Sequence, residues 1–454
     1  MNKQKSIMPV LFLGVLMGAL DIAIVGPALP AMKASFGINE RMLSWVFSIY
    51  IMFNLVGTPI MAKLSDRFGR RMIYILDLLL FLAGSLIVAS IPNFYALLMG
   101  RVLQGFGAGG IFPVASAVIA DSYPEEKRGR ALGLIGMVFG LAFIIGPLLS
   151  GIILSFASWP VLFLINVPII LYIIVLAYKR LPHERSKEKI SFDFAGIGFL
   201  SLSLVLVAAA VSFFDSNDIT RSIHSPFFIP FVAGSVIAAG VFVAVEKKAL
   251  DPVISPAFFS SRQIVLTLIL GFGAGFIEGS LAFLPSFAVT AYGLSPDKAS
   301  FLLLPLVLAM SVAAPLAGRI IDETGAKKVV NFGILAILAS LVILCFLSST
   351  LLRYSIALVL LGTGLSCLLG APLRYILIDN VNKQNHGAIQ GVLSITMSIG
   401  MLLSGVSFGT IVAAENGNPV GYTRAYLLMS ILSLVLFAVS LFIKGKRTRS
   451  KVTT

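Results

Sequence analysis

Charge is what this chain has least of. Of its 454 residues only 12% are Asp, Glu, Lys or Arg, where a soluble domain carries about 25%. That shortage excludes an ordinary soluble enzyme, a nucleic-acid-binding domain and a disordered chain. Cysteine is nearly missing: Cys345 and Cys367 stand in separate apolar runs. Without a Cys-x-x-Cys spacing, neither a disulfide framework nor a cysteine metal site is indicated. Histidine numbers three, and His183 and His386 lie in polar stretches, so no metal is expected. There is no Gly-x-x-x-x-Gly-Lys-Ser/Thr loop and no polar domain to hold one. Nucleotide hydrolysis is therefore not the expected energy source. The His-Glu-x-x-His pair and the Gly-x-Ser-x-Gly turn are also missing, which argues against an intramembrane enzyme.

What is present is apolar length. Hydrophobic residues make up 58% of the chain, and the mean hydropathy is +1.00. A helix crosses the hydrocarbon layer with about 20 apolar residues. Fourteen segments between residues 7 and 444 meet that length, among them 192–214 and 226–246. Helices are the expected form, because lipid leaves an unpaired backbone unsatisfied. Long unbroken runs do not alternate as barrel strands do. The first run, from Ile7 to Met32, is too long for a signal peptide's core of about 7–15 residues. It reads as the first span.

Lys and Arg orient the spans. With the N-terminus inside, 26 of them fall in inside segments and six outside, while Arg101 and Arg374 fall within spans. This also accounts for the formal net charge of +14 without nucleic acid: basic loops face anionic lipid.

A weak repeat divides the chain. Lys63-Leu-Ser-Asp66-Arg67-Phe-Gly69-Arg70-Arg71 returns 256 residues later as Arg319-Ile-Ile-Asp322-Glu323-Thr-Gly325-Ala326-Lys327-Lys328. Arg128-Gly129 through Gly133 returns as His386-Gly387 through Gly391. Each copy lies on the inside, so the repeat is parallel and six spans long. Such halves suit alternating access. The expected organisation is a six-helix bundle at 1–180 and a basic cytoplasmic linker at 181–190. Two additional helices follow at 191–247, then a second six-helix bundle at 248–444 and a basic tail at 445–454. Both termini are expected in the cytoplasm.

Ionisable groups inside a bilayer cost about 2.5–3.5 kcal/mol or more, so each calls for a reason. Asp21 and Arg101 fall within about 6 Å of each other in depth, by a rise of about 1.5 Å per residue. They read either as a proton carrier with its counter-charge or as a static ion pair. Glu278, in Gly275-Phe-Ile-Glu278-Gly279, lies at a depth like that of Asp21, so both are expected to face one central cavity. Its apolar flanks suit proton exchange near neutral pH; the alternatives are direct attraction of a cationic substrate and a neutral acid bonded to backbone. Arg374 is expected to pair with Asp379 or Asp322, with substrate-anion or lipid-headgroup contact as the other reading. Asp66, Arg70 and Asp121 are expected to meet at the inside face, with Asp66 capping a neighbouring helix and Arg70 paired to Asp121. Asn54, Gln104 and Asn166 read as helix–helix hydrogen-bonding groups. Gly105, Gly107, Gly109, Gly136, Gly140, Gly146 and Gly151 permit close helix approach, and Pro147 removes a backbone bond from its helix.

The segment Ala62-Lys-Leu-Ser-Asp66-Arg-Phe-Gly69-Arg70-Arg71 resembles the loop signature of the major facilitator superfamily. Leu20-Asp21-Ile-Ala-Ile-Val-Gly-Pro27-Ala-Leu-Pro30 looks like the first-span motif of its fourteen-span drug:proton antiporter branch. Arg101-Val-Leu-Gln104-Gly105-Phe-Gly107-Ala-Gly109 resembles the fourth-span motif linked to proton coupling. Gly136-x-x-x-Gly140…Gly146-Pro147-x-x-x-Gly151 resembles the fifth-span antiporter motif, and Phe163-Leu-Ile-Asn166-Val-Pro168 the end of the sixth span. The resemblance implies an all-α membrane fold of fourteen helices, made of two parallel six-helix bundles plus two helices between them. It implies proton coupling through Asp21 and Arg101, a cytoplasmic latch of Asp66, Arg70 and Asp121, and a leak-tight helix seam at Gly136, Gly140, Gly146, Pro147 and Gly151; Glu278 joins the proton-coupling residues on its position within the span alone.

The function expected is a proton-coupled exporter of hydrophobic, cationic or zwitterionic small molecules. It would act as a monomer in a bacterial cytoplasmic (inner) membrane, with protons, substrate and membrane lipids as partners and no cofactor. A lipid or glycolipid exporter of the same fold is the alternative. A non-transporting receptor or scaffold explains the helices but not the buried charges.

Overall fold

In a computed structural model of the chain, the described residues are 3–182, 194–213, 224–249, 252, 256–381 and 386–444. The expected linker at 181–190 and the tail at 445–454 lie almost wholly outside them. Among the described residues the regular structure is helical. Twelve helices are long and apolar enough to cross a membrane, and two shorter apolar helices, Ile145–Phe156 and Ala195–Val211, accompany them.

The first compact unit contains residues 1–254, joined by 281–302 and 405–418. Its helices begin with α1 (Lys3–Phe36), α2 (Glu40–Phe68), α3 (Arg70–Ser90), α4 (Phe94–Ser122) and α5 (Glu125–Phe156). They continue with α6 (Val161–Leu164), α7 (Asn166–Arg180), α8 (Phe194–Phe213) and α9 (Phe228–Glu246). Asn39 and Asn93 start α2 and α4 by accepting backbone N–H groups of the first turn, which the helix cannot satisfy itself. α4 is clasped from two sides. A Cβ on Gly105 or Gly109 would run into the backbone of α2 at Tyr50 and Asn54, and one on Gly107 would strike α3 at Asp77. Small residues bring backbones together where apolar burial gives no drive, since lipid is as apolar as the side chains. α8 and α9 form a hairpin tied by Ser203 and Ser235, each hydroxyl donating to the other's carbonyl at 3.0 Å.

The second unit contains residues 255–280, 303–404 and 419–454. Its helices include α10 (Arg262–Gly279), α13 (Leu304–Thr324), α14 (Ala326–Val342), α15 (Leu351–Leu369), α16 (Ala371–Asp379) and α18 (Pro419–Leu441). The short α11 (Leu284–Tyr292) and α12 (Pro296–Phe301) belong to the first unit, and α17 (His386–Ala414) is shared between the two.

The sequence repeat reappears as backbone geometry. Gly69 separates α2 from α3 at φ 98, ψ 142, and Gly325 separates α13 from α14 at φ 85, ψ 157. Each glycine N–H donates four residues back, to the carbonyls of Ser65 and Ile321. A side chain at such a φ is strained, so glycine makes both reversals. Two other helices are interrupted. A 3₁₀ turn at Ser280–Phe283 follows α10, beginning two residues after Glu278. Gly370, at ψ −137, parts α15 from α16 four residues before Arg374.

Candidate functional site

Five helices of the first unit converge on one buried ion pair. Asp21 from α1 and Arg101 from α4 are each 0% exposed, with Nη1 2.5 Å from Oδ2. Because Arg101 stands one turn before Gly105, on the face drawn against α2, its guanidinium inserts between the two helices. Nε donates to the Val46 carbonyl at 3.1 Å, and the cation lies 4.1 Å from the Tyr50 ring centroid. Gln104 bridges the pair. It accepts from Arg101 at 3.0 Å, and its amide donates to Asp21 Oδ1 at 3.3 Å and to Ser85 on α3 at 2.8 Å. Asn166, at the start of α7, donates to the same Asp21 oxygen at 3.3 Å. Asp21 is thus met by one cation and two amides, which is what a buried carboxylate needs.

The expected proximity of Asp21 and Arg101 is realised as direct contact. The Asp21 side chain itself is enclosed among α1, α3, α4 and α7. Gln104 and Asn166 turn out to be members of the Asp21 cluster as well as helix–helix contacts. Only their position inside apolar runs hinted at that.

In the second unit Glu278 is half-buried on α10. Next to it runs a glycine face. A Cβ on Gly271, Gly275 or Gly279 would strike α17 at Leu393, Met397 and Met401. Arg374 lies within electrostatic reach of Glu278. It does not pair with Asp379, which is exposed; its Nη1 donates to Gln390 of α17 at 3.1 Å. The reason is local: α16 restarts at Gly370, and Gln390 of α17 lies within reach of the Arg374 guanidinium, returning an N–H to the Arg374 carbonyl at 3.4 Å. The side chain of Asp322, the other expected partner, lies outside the described residues.

At the far end of α3 the structure brings Asp66, Arg70 and Asp121 together. Arg70 Nε donates to Asp121 at 3.0 Å and Nη1 to Ser65 at 2.8 Å, with Asp66 a third partner. Asp66 engages Arg70 one turn along and caps no helix, because the Gly69 turn carries Arg70 back over it. Along α5, Gly146 meets Ala23 of α1, and Gly151 the Phe301 ring of α12. The surroundings of Gly136 and Gly140 lie outside the described residues. No group of three or more His, Cys, Asp or Glu side chains able to hold a metal occurs among the described residues.

A multi-helix membrane chain with a buried ion pair inside its first unit defines the class. The Major Facilitator Superfamily profile matches residues 11–405 and again 266–454, and the chain belongs to that superfamily. Among its relatives, an uncharacterized MFS-type transporter, YfiU of Bacillus subtilis, is 31% identical over 91% of this chain and 80% of its own. Multidrug resistance protein 3 of the same organism is 30% identical over 88% and 78%. The riboflavin transporter RibZ of Clostridioides difficile is 26% identical over 97% and 96%. In fold, a D-xylose-proton symporter superposes with a TM-score of 0.68 over 96% of this chain and 97% of its own, at 14% identity.

Proposed function

We propose that this chain is a proton-coupled secondary active exporter of hydrophobic, cationic or zwitterionic small molecules, working by alternating access. The observation that carries the reading is the fully buried Asp21–Arg101 pair. Ionised groups at that depth are costly, and this pair is built to change state. If Asp21 takes a proton, Arg101 keeps the Val46 carbonyl, the Gln104 oxygen and the Tyr50 ring as partners. Arg101 then keeps hydrogen-bonding partners but loses its counter-charge, so protonation of Asp21 weakens the tie between α1 and α4. Glu278, with Arg374 in reach, is the second proton site. A carboxylate there holds either a proton or a cationic substrate, and that mutual exclusion yields antiport.

The Asp66–Arg70–Asp121 cluster serves as a cytoplasmic latch, and the α5 face at Gly136, Gly140, Gly146, Pro147 and Gly151 as a leak-tight seam. The two shorter apolar helices are parts of α5 and α8, which supports fourteen spans in all and the drug:proton antiporter branch. With basic loops inside, both termini lie in the cytoplasm of a bacterium and the protein sits in its inner membrane. It acts as a monomer without a cofactor and catalyses no reaction. The relative named for multidrug resistance favours a drug-like cargo, whereas the riboflavin transporter relative, similar over 96% of its length, favours a single metabolite as the second reading.

The test is ethidium transport into everted vesicles under an imposed pH gradient, acid inside. Uptake should follow the gradient and disappear in Asp21→Asn together with Glu278→Gln. Uptake that ignores the gradient refutes proton coupling. Riboflavin uptake without any ethidium uptake supports the second reading.

A further inference from the structure

Asp77 is an acid with no partner. It lies on α3 among Leu78, Phe81 and Tyr74, at 0% exposure, and neither carboxyl oxygen has a hydrogen-bond partner. The helix opposite makes room for it. A Cβ on Gly110 of α4 would fall on both carboxyl oxygens, so the lack of a side chain there is what admits the group. Two independent features therefore converge: a buried unpaired carboxyl, and a recess opposite that fits it.

The charge state follows from the surroundings. A buried carboxylate without donors costs several kcal/mol even after relaxation, whereas the neutral acid costs about as much as an ordinary polar group. Among the described residues, the titratable group in electrostatic reach is Tyr74, on α3 itself; its hydroxyl donates to the Val10 carbonyl of α1 at 3.3 Å. Asp21 of α1, Asp66 of α2, Arg101 and Asp121 of α4 and Arg180 of α7 make no hydrogen bond or ion pair with Asp77. A metal cation would need several more oxygen ligands, and no metal-capable group of side chains occurs among the described residues. The ligand this recess fits is a single proton.

Position supplies the function. Asp77 lies seven residues from Arg70 of the latch and eight from Ser85 of the Asp21 cluster, about 10 and 12 Å along the same helix. We infer that Asp77 is a separate proton-binding site of the first unit, set between the Asp21–Arg101 cluster and the cytoplasmic latch, holding its proton in this conformation and exchanging it during the transport cycle. The inference rests on the proton-coupled reading above.

The experiment pairs two measurements on the full-length protein. First, infrared spectra of the purified protein in lipid nanodiscs are titrated from pH 5 to pH 9. A protonated-carboxyl band present at neutral pH should vanish in Asp77→Asn and shift in Gly110→Ala, which crowds the group while keeping it. A wild-type spectrum identical to that of Asp77→Asn overturns the proposal. Second, ethidium uptake into everted vesicles is compared with and without a pH gradient. Asp77→Asn should retain gradient-free equilibration and lose gradient-driven accumulation about tenfold. Unchanged accumulation in both variants overturns the exchange during transport. If wild-type protein moves no ethidium, the functional reading above fails, while the infrared titration still decides whether Asp77 binds a proton. If Asp77→Asn does not fold, Gly110→Ala carries both comparisons.

Discussion

Arg101 is held by a carboxylate, an amide oxygen, a backbone carbonyl and an aromatic face, yet its second terminal nitrogen finds no partner. A group held so tightly and still incompletely satisfied can redistribute its bonds when Asp21 changes charge. Arg101→Ala leaves Asp21 uncompensated, and breaking a buried pair from one side costs about 3–5 kcal/mol. The double variant Asp21→Asn with Arg101→Ala should be more stable than Arg101→Ala alone, as read by thermal melting in detergent. Equal or lower stability of the double variant would mean the pair is not coupled. Residue type made Asp21, Arg101 and Glu278 visible, because an ionisable group in an apolar run is conspicuous. Asp77 meets the same criterion but stands in no recognisable motif, so only its burial and the recess at Gly110 set it apart. Gln104 and Asn166 are uncharged, and nothing but contact distance shows that both serve Asp21.

Elements of this chain are joined by glycine for two different reasons. At Gly69 and Gly325 the reason is backbone conformation. Gly69→Ala should cost about 1–3 kcal/mol, the usual penalty for a side chain in a sparsely populated region, measured as a loss of thermal stability. Along α10 the reason is proximity. Gly275→Val would drive a side chain into the Met397 carbonyl of α17 and should destabilise the protein more than Gly69→Ala. Gly318 of α13 provides the contrast, since a Cβ there meets nothing within 4 Å. Gly318→Ala should be neutral or stabilising by about 0.5–1 kcal/mol, the ordinary helix preference. If Gly275→Val and Gly318→Ala melted alike, close packing of α10 on α17 would be refuted. Helix existence is readable from apolar length alone. The breaks after Glu278 and before Arg374 are not, since each falls inside a run that is apolar on both sides.

For the whole molecule, the proposed latch of Asp66, Arg70 and Asp121 predicts that stability and transport separate. Arg70 and its partners are partly exposed, with Asp121 at 53%, and such pairs contribute about 0–1 kcal/mol. Arg70→Gln should therefore melt within about 1 kcal/mol of wild type while ethidium efflux falls at least severalfold. A variant that transports normally would reduce the cluster to a topology signal. Arg374 shows the limit of reading charges along a chain: Asp379 follows it on the same helix, yet the guanidinium donates to the Gln390 amide oxygen on another helix.

The amino-acid sequence by itself determined that the chain crosses a membrane many times, and it carries the repeated segment whose two glycines, Gly69 and Gly325, make the same reversal. These are properties of composition and spacing, and the cost of exposing backbone or charge to lipid acts on every residue alike. Only the tertiary structure decided that Asp21 is met by three polar partners, that Arg374 turns to Gln390, and that Asp77 sits unpaired opposite Gly110. Each of those outcomes depends on which helix faces which at a separation of a few ångströms, and that is set by small residues on two helices at once, which no single stretch of sequence records.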